Sequence, residues 1–165
     1  MNTDAFWSLI ETSLEHSPDY EERTRYLRDS LATLPVEQIA HFDILLSNAC
    51  NELDSAELVE LAQQIHGGLL HDDVFNDFKM WIIGSGRGAF TRVVGNPAAV
   101  SALPGVDTQG VDDDEDLSWE ELSYVGNYAF LRKHGIDHEA DDERQGALDE
   151  EYEELVKRVQ AELAR

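Results

Sequence analysis

Apolar residues recur at spacings of three and four along most of the chain. Over residues 4–16, for example, Phe6, Ile10 and Leu14 fall on one stripe of a helix. The same period returns in 19–34, 35–53, 54–68, 73–84, 118–135 and 147–165, and Pro or Gly separates most of these segments. No segment shows the alternation of a half-buried strand. The pattern predicts an all-α fold, a single-domain bundle of about seven helices.

The domain organisation follows from length and from two acidic segments. A chain of 165 residues is the size of one domain. We expect a helical core domain over 1–135, with a dense motif at 66–97. Residues 136–165 are expected to add an acidic loop and a C-terminal helix packed on the same domain. Another segment, 104–117, combines Pro, Gly and a run of acids, and it predicts a second acidic loop in the C-terminal part.

The charge of the chain limits its partners. There are 35 acidic and 12 basic residues, for a net charge of −23. Such a surface repels nucleic acid phosphates and anionic lipid, and it attracts basic proteins. We therefore expect no nucleic acid and no membrane among the partners, and a basic protein as the partner if there is one. The alternative is that the charge serves solubility alone, and the oligomeric state is left open.

Location is predicted from what the sequence lacks. Cys50 is the only cysteine, so there is no disulfide framework. The first residues contain an acid at Asp4 and no basic region of the kind that opens a secretory signal. No apolar run approaches the roughly 18 residues that cross a bilayer. These features predict a soluble, cytoplasmic protein.

The segment from His66 to Phe90 has the highest density of residues that can bind a ligand, a partner or a metal ion. On a helix over 73–83, a buried face holds Trp81 with its apolar neighbours, while Lys79 and Met80 fall on the opposite face. Asp73 and Asp77 then lie one turn apart beside the indole, as in a shallow polar site. The following residues are the candidates for binding a ligand or partner: Asp72, Asp73, Asp77, Trp81 and Arg87. The alternative is structural, with Asp72 or Asp73 capping the helix and Trp81 in the core.

Metal and anion sites are weaker interpretations of the same segment. His66, His71 and Asp72 are candidate metal ligands, because imidazole with carboxylate suits zinc, manganese or iron. However, there is no His-Glu-x-x-His motif and no cysteine ligand set. The glycines of 84–88 follow a helix rather than a strand, which argues against a phosphate loop, although Arg87 can hold an anion at a helix start. We expect no cofactor, and no catalytic set is identified.

The motif resembles an uncharacterised bacterial family, the domain of unknown function numbered 4240. The residues that carry the resemblance are Gly67, Gly68, Asp72, Asp73, Phe75, Asp77, Phe78, Trp81, Ile82, Ile83, Gly86, Phe90, Asn96 and Pro97, together with the N-terminal segment 6–11. The resemblance covers roughly 4–135. It implies an all-α fold and no established activity. The family usually has Arg in place of Lys79 and often a small polar residue in place of His71, which counts against a metal site at His71.

Two functional hypotheses follow, with a structural role as the third. The first is an acidic module that binds a basic protein, since toxin-neutralising immunity proteins and nucleic-acid mimics have this size and charge. The second is a small-molecule or metal-dependent enzyme that uses Asp72, Asp73 and Asp77 beside Trp81. The third is a motif that only stabilises the fold. Whether the protein is an enzyme is left open at this point.

Overall fold

The all-α prediction is confirmed. The computed structural model describes residues 1–106, 117–140 and 143–165, and in these residues there are eight α-helices, against the seven or so expected, and no strand. Most of the predicted acidic loop over 104–117, and residues 141–142 of the acidic loop predicted after residue 135, lie outside the described residues. None of the helices in the described ranges is long and apolar enough to cross a membrane.

Most helices begin and end within a few residues of the predicted boundaries, but the helix predicted to start at residue 118 begins at Val125, after a 3₁₀ helix. The α-helices are α1 (Thr3–His16), α2 (Tyr20–Ala32), α3 (Val36–Glu52), α4 (Ala56–Ile65), α5 (Asp72–Gly84), α6 (Arg87–Gly95), α7 (Val125–Lys133) and α8 (Gln145–Leu163). Two short 3₁₀ helices, Pro97–Ala102 and Glu120–Tyr124, precede and follow the segment left undescribed. The sequence pattern did not separate these 3₁₀ turns from α-helix, because both place apolar residues three apart.

Capping side chains explain several helix starts. Asn2 accepts a hydrogen bond from the Ala5 amide at 2.8 Å, and Ser55 accepts one from the Leu58 amide at 3.1 Å. Asp19 does the same for α2. Each cap satisfies a backbone N–H that has no partner inside its own helix. The boundaries of α1, α2 and α4 are therefore encoded locally.

The chain divides into two compact units. The first unit comprises residues 1–47 and 123–165, and it contains α1, α2, most of α3, α7 and α8. In this unit α7 packs mainly on α2, α1 packs on α2, and α8 packs on α7. Its core includes the Phe6 ring, 5.1 Å from the ring of Phe42. The C-terminal helix thus belongs to the same unit as the first two helices.

The second unit comprises residues 48–122, with the end of α3, then α4, α5, α6 and the 3₁₀ helix at 97–102. In it, α5 packs on α4 and α6. Its fully buried residues include Phe78, Ile82 and Trp119. This unit holds the whole of the motif over 66–97.

Burial along α5 differs from the prediction. Every residue from Phe78 to Gly84 is buried, including Lys79, Met80 and Ile83, which the helical pattern placed on an outward face. By contrast, the first turn is exposed at Asp72 and Asp73. The helix is therefore divided along its length rather than into two faces, and it packs on both α4 and α6.

Candidate functional site

The start of α5 is open to solvent. His71 is the N-cap residue, and its side chain makes no capping hydrogen bond. The prediction that Asp72 or Asp73 caps the helix is therefore wrong, since both lie in the first turn. There the Asp73 carboxylate accepts from the adjacent Val74 amide at 3.0 Å. Acids at this position are favoured by the partial positive charge of a helix N-terminus.

Asp77 lies one turn further along α5 and is half-buried. Its backbone carbonyl accepts a hydrogen bond from the Trp119 amide at 3.2 Å. Because the Trp119 side chain is fully buried, this bond fixes the segment that follows it against α5. Glu120 and Glu121 are thereby brought close to Asp77.

The resulting cluster contains acids only. Burial raises the pKa of the Asp77 carboxyl, and the negative charges of Glu120, Asp73 and Glu121 raise it further. Among the described residues, every charged neighbour that acts on Asp77 in this way is an acid. We call the four residues Asp73, Asp77, Glu120 and Glu121 the acidic surface. The sequence pattern identified Asp73 and Asp77, but it missed the two glutamates, which are more than 40 residues away along the chain.

Trp81 lies in the core. Its side chain is 4% exposed, and its ring is stacked on that of Phe78 with 5.5 Å between centroids. This burial agrees with the structural alternative, in which Trp81 is a core residue, rather than with an indole wall of a surface site. Its burial follows from its position on the half of α5 that is covered on all sides.

The candidate metal ligands lie in different environments. The His66 ring packs edge-on against Phe78, 5.3 Å between centroids, at the end of α4. His71 and Asp72 are exposed. In the described part of the chain, no three His, Cys, Asp or Glu side chains form a group that can hold a metal ion. The structure therefore does not assemble His66, His71 and Asp72 into a metal site.

An exposed leucine precedes the acidic surface. Gly67, with a φ of +76°, and Gly68 end α4, and Leu69 follows with 93% of its surface exposed. A leucine this exposed gains nothing from the fold. The helical pattern does not distinguish Leu69 from a buried leucine, although the Gly-Gly pair before it indicates a turn that carries the side chain outward.

Comparison with known families places this motif within a longer segment that matches one family. The sequence model of a family described as a protein of unknown function (DUF4240) matches residues 1–132. The chain belongs to the DUF4240 family. The match confirms the predicted resemblance, and it includes α1 to α6 and nearly all of α7, but not α8. No curated protein and no solved structure gives a significant match to this DUF4240 chain.

Within the DUF4240 segment, Lys79 has a structural position. Its ammonium bonds the Asp54 carboxylate at 2.6 Å and lies 5.0 Å from the centre of the Phe75 ring. Burial opposes the charge, but the bonds to Asp54 and Cys50 outweigh it and raise the pKa of Lys79. The Cys50 thiol donates to Asn76 at 3.3 Å, and burial raises its pKa. These groups hold α5 against the chain before it.

Arg87 of the DUF4240 chain is exposed in the first turn of α6. Arg92, five residues further along α6, donates to the Gly88 carbonyl one turn back at 3.2 Å. The anion site at Arg87 remains a prediction. The site that the geometry supports best is the acidic surface with Leu69 beside it in sequence.

Proposed function

We propose that the protein binds a basic protein through the acidic surface, with Asp72 at its edge and Leu69 as an apolar contact. The observation that carries the proposal is the convergence of Asp73, Glu120 and Glu121 on the half-buried Asp77. Like charges this close reduce the stability of the folded chain. A cationic partner removes that repulsion on binding, so the free energy of the repulsion favours the complex.

The charge of the whole chain supports the same partner. A net charge of −23 raises the local concentration of a basic protein around the molecule and accelerates the encounter. Long-range attraction of this kind speeds association more than it slows dissociation. The acidic surface then supplies the close-range complementarity.

Leu69 provides an apolar contact, which the charged side chains of the acidic surface do not. Binding energy in protein interfaces concentrates in a few desolvated apolar or aromatic side chains surrounded by polar contacts. A fully exposed leucine three residues before Asp72 fits that arrangement. We infer that the partner has an apolar pocket beside its basic residues.

Neutralising the acidic surface is expected to slow association with the partner by about tenfold or more at low salt. The variant is Asp73→Asn, Asp77→Asn, Glu120→Gln and Glu121→Gln combined. The measurement is affinity capture from a lysate of the source cells at low and high salt, read by mass spectrometry, followed by kinetics with the captured protein. A stoichiometric basic protein that is retained at low salt and lost at high salt is the expected result.

A matched control separates local from global charge. Four exposed glutamates elsewhere, changed to glutamine together, remove the same net charge: Glu11, Glu15, Glu57 and Glu60. This control is expected to keep most of the binding, with a smaller effect on the association rate. Equal losses in the two variants would contradict a specific acidic surface, and binding insensitive to salt would contradict the electrostatic mechanism.

Replacing Leu69 with serine is expected to accelerate dissociation by about tenfold, since an apolar contact of this size contributes roughly 1.5 kcal/mol. The change should be the same at low and high salt, and the Tm of the free protein should not move, because the side chain is exposed. Surface plasmon resonance with the captured partner measures the dissociation rate. Leu163→Ser, at a leucine 61% exposed in α8, is the matched control. An unchanged dissociation rate would remove Leu69 from the interface.

The second candidate is an enzyme in which Asp77 acts as an acid or base. The raised pKa of Asp77 favours it, because such shifts are typical of groups that exchange protons in catalysis. The two candidates predict different single variants. Asp77→Asn alone would abolish an enzyme's turnover, whereas on the acidic surface each of the four carboxylates contributes a similar share of the association rate.

A further inference from the structure

A second unusual carboxyl lies in the first unit, at Asp43 of α3. The Tyr152 hydroxyl of α8 donates a hydrogen bond to its Oδ2 at 2.7 Å, between residues 109 apart in the chain. The residue Asp43 is half-buried as a whole, but its carboxyl group is fully buried. The bond therefore joins α8 to α3 inside the unit.

The other oxygen of the carboxyl faces the backbone of α7. A Cβ atom placed on Gly126 would lie only 2.1 Å from Asp43 Oδ1 and 2.5 Å from its Cγ. Oδ1 is shielded from solvent and has no hydrogen-bond partner among the described residues. A buried polar atom without a partner is rare in native proteins and calls for a physical explanation.

A bound proton accounts for a carboxyl that lies here with one hydrogen bond and no cation, because it removes the negative charge. Burial raises the pKa of the Asp43 carboxyl to about 7, although the hydrogen bond from Tyr152 lowers it. The tyrosine keeps its own proton, because burial, the Asp43 charge and the bond all raise its pKa. In its protonated form the carboxyl places no net charge in the interior and still accepts the tyrosine bond.

Two other ionisable groups, one on α8 and one on α3, are engaged elsewhere. On α8, the Asp149 carboxylate accepts from Asn127 of α7 at 3.0 Å. On α3, the His41 ring contacts the Met1 ammonium at 2.6 Å, and residues two apart on a helix do not face each other. Among the described residues, Tyr152 is the ionisable group that acts on Asp43, and the pKa of Asp43 is not shifted by a cation.

We propose that Asp43 is a pH-responsive clasp, which holds α8 against α3 and α7 when its carboxyl carries a proton and loosens α8 when that proton is lost. Ionisation leaves a charge in the interior with one hydrogen bond and no cation. The charge is relieved when water reaches it, and this requires one of the covering helices to move.

The helix that moves is α8. Three of its 19 residues are buried: Tyr152, Leu155 and Val159. In contrast, α7 buries five of its nine residues and packs closely on α2. Local opening is least costly where few apolar contacts must be broken. Tyr152 and the rest of α8 also lie beyond the segment that matches the family, so this half of the clasp is not part of the family match.

The direction of the pH effect follows from linkage. The pKa of Asp43 is raised in the closed state from its usual 3.8 to about 7, so the closed state binds the proton more tightly than the open one. The stabilisation is fully present below the usual value and declines as the pH rises towards 7. In that interval one group increases the opening equilibrium constant by up to about tenfold for each pH unit, and above 7 the effect levels off.

Hydrogen exchange of the α8 amides tests the clasp between pH 5.5 and 8.5. Opening constants for residues 152–159 are compared between the wild type and Asp43→Asn, so that the effects of the other acids cancel in the ratio. We expect this wild-type-to-variant ratio to rise by roughly tenfold per pH unit up to about pH 7 and then to level off. Amides of α5 in the second unit are the internal control, with a constant ratio. A constant ratio in α8 would overturn the proposal.

Two further measurements keep the test decisive. Tyr152→Phe removes the bond that lowers the pKa of Asp43, so the levelling-off point should move to higher pH, whereas a purely structural clasp would lose protection equally at every pH. If Asp43→Asn does not fold, NMR titration of carbon-13-labelled aspartate carboxyls in the wild type decides. A carboxyl near the Tyr152 ring that titrates around pH 7 supports the clasp, and titration near 3.8 overturns it.

Discussion

Replacing Gly126 with alanine is expected to lower the free energy of unfolding of the first unit by about 1–3 kcal/mol, the usual cost of forcing extra volume into a packed interior. The added methyl would lie 2.1 Å from Asp43 Oδ1 and 2.5 Å from Oδ2. The carboxyl cannot move aside without breaking its bond to Tyr152 or displacing α8. Urea denaturation followed by circular dichroism measures the loss.

Two controls define the origin of this loss. Gly88→Ala, in α6, adds the same methyl to a helix where no atom lies within 4 Å of it, and it is expected to stabilise the protein by about 0.5–1 kcal/mol. Combining Gly126→Ala with Asp43→Ala removes the obstructing carboxyl, and the two changes should then be far from additive. Additive effects would show that the strain at Gly126 has another source.

Replacing Trp81 with alanine is expected to cost about 3–5 kcal/mol of stability, the range for deleting a large aromatic from a core. The reason is its 4% exposure and its stacking on Phe78. Trp81→Phe should cost less, because part of the stacked ring is retained. Thermal and urea unfolding measure both variants, and Trp7 and Trp119 still provide a fluorescence signal.

The comparison with Asp72 decides between the structural and binding interpretations of the motif. Asp72 is exposed, so Asp72→Asn is expected to change stability by no more than about 0.5 kcal/mol. A small effect of Trp81→Ala on stability, together with a large effect on partner binding, would show that the indole is part of the interface. The opposite pattern would establish Trp81 as a core residue and leave binding to the carboxylates.

The helices were predictable because their signals are local. The apolar period acts within one or two turns, as do the caps at Asn2 and Ser55 and the Gly67–Gly68 stop. The helices α1 and α4 lie close to the segments 4–16 and 54–68 that the period predicts. The faces of α5 were less predictable. A helical pattern shows which residues share a side, but it does not show that neighbours cover Lys79 and Met80 as well.

The acidic surface was half predictable for the same reason. Asp73 and Asp77 are one turn apart, so their proximity follows from helix geometry alone. Glu120 lies near them where the Trp119 amide bonds to the Asp77 carbonyl, and no local pattern encodes that bond. Asp43 was missed altogether. A lone acid in an apolar helix resembles any surface acid until the glycine and tyrosine that cover it are known.

Because Cys50 is buried, the rate at which its thiol is alkylated measures how often the second unit opens. Its thiol is the only one in the chain, is shielded, and is held in its less reactive protonated form by a raised pKa. Alkylating reagents therefore modify it chiefly when the second unit opens, so the rate of labelling reports that opening. The first unit contributes no thiol to the signal. Mass spectrometry of the alkylated protein at successive times can thus follow the opening of the second unit without an introduced label.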